Sequence, residues 1–195
     1  MSKKMLEENL SQDSKLKKRG IAIGWPGYGT NEIRLGQTES QAKAVLGMPD
    51  QRTRKHQGYY FYIYKKKGLD LDFGKRGGKL KVIFFFQKDV YEHDRAKIIT
   101  DRGIRLGDSR SRVLEVYGEP DQRGESCILH NGDYFREWFF YSDGIQFSFS
   151  RHNKVDEISI SRRKRKLAQR KKGAKQTDRL KKSERDARRG RGERR

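Results

Sequence analysis

From residue 59 onward, apolar and polar positions follow a period of two. Leu69-Asp70-Leu71-Asp72-Phe73 sets the apolar side chains on one side and aspartate on the other, which predicts a strand with one wet face. Tyr59–Tyr64 is aromatic or β-branched at every position, so both its faces are apolar or amphipathic. Tyr60, Tyr62 and Tyr64 share one of those faces; Tyr59, Phe61 and Ile63 share the other. Lys79–Phe86 reads as the next strand, after turns at Lys65–Gly68 and Gly74–Gly78. Shorter strands are expected at Ile21–Ile23 and Thr53–His56, with a turn at Gln57-Gly58. The order then returns as Ser126–His130, Tyr134–Tyr141, Ile145–Ser150 (Ile145, Phe147 and Phe149 inward) and Val155–Ile160. Asn131-Gly132 is the strongest hairpin signal in the chain, and Asp143-Gly144 marks another turn.

Ahead of each strand set stands one stretch used twice. Ile33–Arg52 and Ile104–Arg123 align without a gap at an offset of 71 residues, with 11 of 20 positions identical. Each copy reads as a short helix marked at both ends. Thr38 and Ser109 are N-cap residues, and Gln41 completes a capping box in the first copy, whereas Arg112 stands there in the second. Ala42, Val45 and Leu46 form one helix face, matched by Val113, Val116 and Tyr117. Gly47 and Gly118, followed by Pro49 and Pro120, read as a left-handed helix stop in preference to a binding loop. Each unit therefore reads as one helix region plus about four antiparallel strands. The expected fold class is α+β, with two such units in tandem and a disordered basic C-terminal tail. The expected divisions are a flexible charged arm at 1–20, units at 21–86 and 104–160, a linker at 87–103, and the tail at 161–195.

The pattern Ile-x-Leu-Gly-x-Ser/Thr, a short helix, Gly-x-Pro-Asp and then aromatic hairpins resembles the repeat of the beta-lactamase-inhibitor-protein fold. It is also similar to small outer-membrane assembly lipoproteins of the SmpA/OmlA (BamE) kind. The resemblance covers about residues 30–160. It implies non-enzymatic protein binding through a concave sheet and its loops. Most such relatives are exported or lipidated. This sequence shows no signal peptide, no lipid-anchor cysteine near Met1 and no apolar run long enough to span a bilayer, so a cytoplasmic setting is expected.

Charge changes the picture at the C-terminus. The formal net charge is +21, and residues 161–195 hold 18 Lys+Arg against 4 Asp+Glu. The tail is nearly devoid of large apolar side chains and cannot fold around a core of its own. Such a run neutralises phosphates and releases counterions, giving salt-sensitive, sequence-independent binding. The candidate nucleic-acid residues are Arg162, Arg163, Lys164, Arg165, Lys166, Arg170, Lys171, Lys172, Arg188, Arg189 and Arg191. The bland alternative is a solvated tail that touches any polyanion. Arg162–Lys166 also has the composition of a nuclear import signal. An anionic membrane fits less well, because the tail lacks bulky residues to insert.

Other chemistry is thin. Tyr60, Tyr62, Tyr64, Trp138 and Phe140 are the candidate protein-binding residues, weighed against a role in the core. Gly24–Gly29 lacks the dinucleotide spacing, and Gly74–Lys79 lacks Walker A spacing. The single cysteine, Cys127, excludes an intrachain disulfide and cysteine-rich metal spacings. His56, His93, His130 and His152 are scattered. The expectation is a protein without catalysis, cofactor or metal. Its domain would bind an unidentified protein partner, and its tail would bind RNA, DNA or another polyanion. The alternative is an inhibitor or assembly factor that works through the aromatic sheet, with the tail accessory.

Overall fold

The structure is a computed structural model; it describes residues 16, 18–53, 60–74, 78–128 and 134–163. The chain divides into a unit at 1–164 and a second at 165–195, and all the described residues belong to the first. The arm before residue 16, the Gln57-Gly58 turn, the Asn131-Gly132 hairpin and the tail from Lys164 onward lie outside the described residues.

The fold is mostly β, which corrects the α+β expectation of two tandem helix-plus-sheet units. Only two helices of 8 residues stand among the described residues, α1 at Glu39–Leu46 and α2 at Arg110–Tyr117. The strands of one large sheet are β3 (Gln51–Arg52), β4 (Phe61–Tyr64), β5 (Leu69–Asp72), β6 (Val82–Phe86), β8 (Gln122–Ile128), β9 (Tyr134–Tyr141), β10 (Ile145–Phe149) and β11 (Val155–Ser161). Their order is β3-β4-β5-β6-β11-β10-β9-β8, antiparallel throughout. The two halves do not stand as separate units because β6 and β11 pair along their lengths, Ile83 opposite Ile160. β6 is apolar on both faces and β11 on one, and each would otherwise leave an unpaired edge.

The expected linker also holds structure. Ile98–Thr100 (β7) pairs in parallel with Ala22–Trp25 (β1), which pairs with Gly29–Thr30 (β2) to complete a three-stranded sheet. Alternation does not predict this pairing, since three-residue strands carry too little pattern. Trp25 and Tyr28 of the glycine-rich loop meet edge to face at 6.4 Å.

Register makes the core legible row by row. Tyr62, Leu71, Ile83, Ile160, Ile145 and Tyr141 stand opposite one another across six strands. The next row is Tyr64, Leu69, Phe85, Ile158, Phe147 and Phe139. All twelve are buried. The helices cover this face: Tyr60 and Tyr62 donate to the Glu39 carboxylate, and Tyr117 meets Phe147 at 5.0 Å and Tyr141 at 5.3 Å. Ala42 and Val113 point inward, while Val45 of the expected helix face is 48% exposed.

The repeated Gly-x-Pro-Asp now has a physical account. The Thr38 capping box and the simpler Ser109 cap both form. Gly47 and Gly118 have φ of 82° and 74° with ψ of −168° and −162°. That is the extended positive-φ region reserved for glycine, not the left-handed helical one. It turns each glycine carbonyl toward the sheet, where Tyr64 Oη donates to Gly47 at 3.1 Å and Tyr141 Oη to Gly118 at 2.9 Å. Burial pushes both phenols up to about 12, so they remain donors at neutral pH. In the second copy Asp121 also accepts the Ser142 amide at 2.7 Å, tying the helix stop to the turn beyond β9. The repeat is thus a helix end locked to the strand that carries the last tyrosine.

Candidate functional site

The expected protein-binding residues fall on opposite faces of the large sheet. Tyr60, Tyr62 and Tyr64 are 3%, 0% and 1% exposed beneath α1, which corrects their reading as an exposed recognition face. Their hydroxyls are held by helix-side acceptors, and Arg52 lies over the rings of Tyr60 and Tyr62 at 4.9 and 5.6 Å. Burial pushes the Glu39 carboxyl up. The Tyr60 and Tyr62 hydroxyls, with the charges of Arg52 and Lys43, outweigh this and hold it below its ordinary value. This is a closed polar knot under a helix N-terminus, where a carboxylate is favoured.

Trp138 and Phe140 point to the other face. One row there reads Gln51, Ile63, Asp70, Phe84, Ser159, Gln146, Phe140 and Gln122. The neighbouring row runs Phe86, Glu157, Ser148, Trp138 and Gly124. Trp138 is half-buried because its indole lies across Gly124, in space that a Cβ there would fill. Phe140 is 6% exposed, so it is not a surface residue. This face mixes half-buried Phe61, Ile63, Val82, Phe84 and Trp138 with polar Asp70, Gln146, Ser148 and Glu157.

At one end of this face, where Glu157 stands opposite Phe86, the charges are buried. Arg136 donates through Nη1 to Glu157 at 3.0 Å and through Nη2 to Asp156. All three side chains are at most 10% exposed, and among the described residues Arg136 Nε is buried without a hydrogen-bond partner. Burial by itself would lower the Arg136 pKa, but Glu157 and Asp156 outweigh it and raise it. Burial raises Glu157 and Asp156 above the usual carboxylate range, and Arg136 opposes this in both. Beside them His93, 3% exposed, places Nε2 2.9 Å from Asp70 Oδ1 and Nδ1 3.1 Å from the Val90 carbonyl. Both ring nitrogens face acceptors, so the ring is best satisfied as the doubly protonated cation.

A strained loop closes over this cluster. Asp89, Tyr91 and Glu92 have φ of 67°, 50° and 62°, which side chains other than glycine seldom adopt. The loop is anchored by Gln87 N donating to Asp156 O at 2.8 Å and by the Lys65–Glu92 ion pair. Its strain holds Tyr91, 45% exposed, edge-on to Phe86 at 5.5 Å and 5.9 Å above the Arg136 guanidinium. Phe86 stacks in turn on Phe84 at 6.3 Å, and Phe84 meets Phe61 at 6.3 Å. Strain of this kind is maintained only where surrounding contacts over-determine it. The arrangement presents aromatic and charged groups together, and among the described residues no three His, Cys, Asp or Glu side chains gather as metal ligands.

The sequence singled out His93 only as one scattered histidine and did not single out Arg136, Asp156 or Glu157. A lone arginine in an aromatic strand was the available signal. Of the expected tail residues only Arg162 and Arg163 are described; both are exposed, with Arg163 against Gly27 and Arg162 beside Gly36. Lys164, Arg165, Lys166, Arg170, Lys171, Lys172, Arg188, Arg189 and Arg191 lie outside the described residues.

The His93 contacts set a pH dependence. Burial lowers its pKa, but the hydrogen bond and charge of Asp70 outweigh this and raise it above 6.5. Its stabilisation is therefore fully present below 6.5 and is lost as pH rises through the folded-state value. The expected result is that wild type melts above His93→Asn at about pH 6, with the gap narrowing at higher pH. Thermal melts of both proteins across that range check it; a gap independent of pH would show that the imidazolium is not what holds Asp70.

No helix among the described residues is long and apolar enough to cross a membrane. No family model matches the sequence, and neither does any curated protein. Solved structures show a weak likeness. A DUF4309-family protein of Bacillus subtilis is 13% identical with a TM-score of 0.48, over 70% of this chain and 88% of that one. An extracellular SCP-domain protein of Bacillus anthracis is 13% identical with a TM-score of 0.43, over 66% of this chain. A cysteine-rich secretory protein of Staphylococcus aureus is 12% identical with a TM-score of 0.44, over 73% of this chain. The match spans 44% of the Bacillus anthracis chain and 50% of the Staphylococcus aureus chain. All three scores are below one half, and the likeness assigns this chain neither a family nor an activity.

Proposed function

We propose that this is a non-enzymatic interaction protein that contacts nucleic acid through residues 161–195 and a protein partner through the sheet face bearing Phe84, Tyr91 and Trp138. The observation that carries the reading is the segregation of charge. Of the net +21, +14 belongs to residues 161–195 and only +4 to residues 21–160. A folded domain of ordinary charge followed by a dense cationic segment is the electrostatic footprint of phosphate binding. Arg162 and Arg163, exposed at the end of β11, place the start of that segment on the domain surface.

The test is binding to RNA and DNA across salt for the full chain. The expected result is a loss of about 10³-fold or more between about 50 and 200 mM salt, as for six or more phosphate contacts. Changing Lys164, Arg165, Lys166, Lys171 and Lys172 to glutamine should flatten that dependence. Binding that is insensitive to salt, or absent at low salt, would sink the nucleic-acid reading. The sheet face would then carry the function alone, as in an inhibitor or assembly factor.

A further inference from the structure

We infer that the folded domain has a phosphate-binding site of its own, a basic cleft between Arg19, Arg95, Lys97 and Arg105. It deepens the nucleic-acid reading above and rests on it: the ligand is the sugar–phosphate backbone, bound without regard to sequence. The cleft has a volume of about 430 Å³ and lies beside the parallel pair β1–β7. Ala22 N donates to Lys97 O at 2.8 Å, which fixes Lys97 next to the chain that brings in Arg19. Arg105 comes from the second copy of Ile-Arg-Leu-Gly, at the bridge between Ile99 and Arg105.

Three features mark a built site. All four cations are exposed, and among the described residues none of them forms an ion pair. Asp108, the acid nearest in sequence to Arg105, spends its Oδ2 on the Arg105 backbone amide at 2.8 Å. Among the described residues no acid lines the cleft. Like charges gathered without a counterion repel one another, and an incoming anion relieves that repulsion. Arg95 is also held in place, with Nη2 donating to the Leu106 carbonyl at 2.6 Å. A guanidinium oriented before binding loses less entropy on meeting a phosphate, and its remaining N–H groups suit a phosphate oxygen pair. The floor is apolar and buried at Ala96, Ile98 and Leu106, which lowers the local dielectric beneath the charges. Among the described residues no aromatic ring lines the cleft, so bases have nothing there to stack on and contact falls to phosphates.

The experiment titrates labelled oligo-uridine RNA against the full chain, a Lys97→Gln/Arg105→Gln variant, the tail variant described above and the two sets of changes combined. Removing two phosphate contacts should lower the salt slope by about 1.4, making the loss between about 50 and 200 mM roughly sevenfold smaller. A shallower slope in the cleft variant, in both the native and tail-neutralised chains, supports the site. An unchanged slope in the cleft variant beside a collapse in the tail variant overturns the site and leaves the tail reading standing. A loss in the cleft variant with none in the tail variant supports the site and overturns the tail reading. No binding by the wild type overturns both. Acylation of lysines in the unaltered protein gives a readout free of folding artefacts: bound RNA should protect Lys97 and spare exposed Lys88, and an unprotected Lys97 overturns the site. Inorganic polyphosphate separates the two sources of a phosphate chain. Displacement of RNA at far lower phosphate concentration than RNA itself needs would overturn the nucleic-acid assignment.

Discussion

Arg136→Ala is expected to destabilise the protein by about 3–5 kcal/mol, because it strands two buried carboxylates. Asp156 and Glu157 are 4% and 8% exposed, and the Arg136 guanidinium is hydrogen-bonded to both. Without it, each carboxylate must ionise in a poor solvent or take up a proton on folding. The midpoint should fall by about 6–20 °C for a chain of this size. The sign of the pH dependence follows from the same groups. Burial already raises both carboxyls, so their protonated forms favour the folded state. That contribution is present at low pH and is lost as pH rises from the ordinary 3.8 and 4.5 through the folded values. The loss in Arg136→Ala should therefore be smallest in acid. Replacing all three with apolar residues, as Arg136→Met/Asp156→Leu/Glu157→Leu, should recover most of the stability, since packed apolar side chains leave no buried polar group to desolvate. Denaturant melts of the single and triple variants decide it, and a loss under about 1 kcal/mol in Arg136→Ala would mean that water reaches the cluster.

The second large effect separates the two faces of the sheet. Phe147→Ala should cost about 3–5 kcal/mol, the range for emptying a large aromatic site in a packed core. Phe147 is 0% exposed and meets Tyr117 and Tyr141 at 5.0 and 6.0 Å under α2. Phe84 stands two strands away on the opposite face and is only half-buried. Its replacement by alanine should cost about 1 kcal/mol, in proportion to the smaller area it removes from water. Equal losses at the two positions would show that the Phe84 face is sealed as tightly as the helix face, and it could not then serve as a docking surface.

Much of the local structure was legible along the chain. Thr38 with Gln41, and Ser109 without a reciprocal partner, specified how each helix begins. Alternation located β5 and β10, because a side-chain period of two survives wherever one face is sealed. The left-handed stop at Gly47 and Gly118 was the wrong glycine conformation. The feature that selects the extended one, a tyrosine hydroxyl reaching the glycine carbonyl, comes from a strand 17 residues away in the first copy.

By itself the sequence determined the repeat, the capped helices, the strand periodicity and the separation of a near-neutral middle from a cationic end. All of these depend on neighbours within a few turns of chain or on composition. Only the tertiary structure decided that β6 joins β11, making one eight-stranded sheet in place of two units. It alone buried Tyr60, Tyr62 and Tyr64 and left Phe61, Ile63 and Phe84 half-open, since a strand apolar on both faces does not say which side a helix will cover. It alone brought Arg136 to Asp156 and Glu157, 20 and 21 residues away, and Arg19 to Lys97, which is farther still along the chain. Electrostatic contact depends on distance in space, and no periodicity along a chain encodes which distant charges will meet.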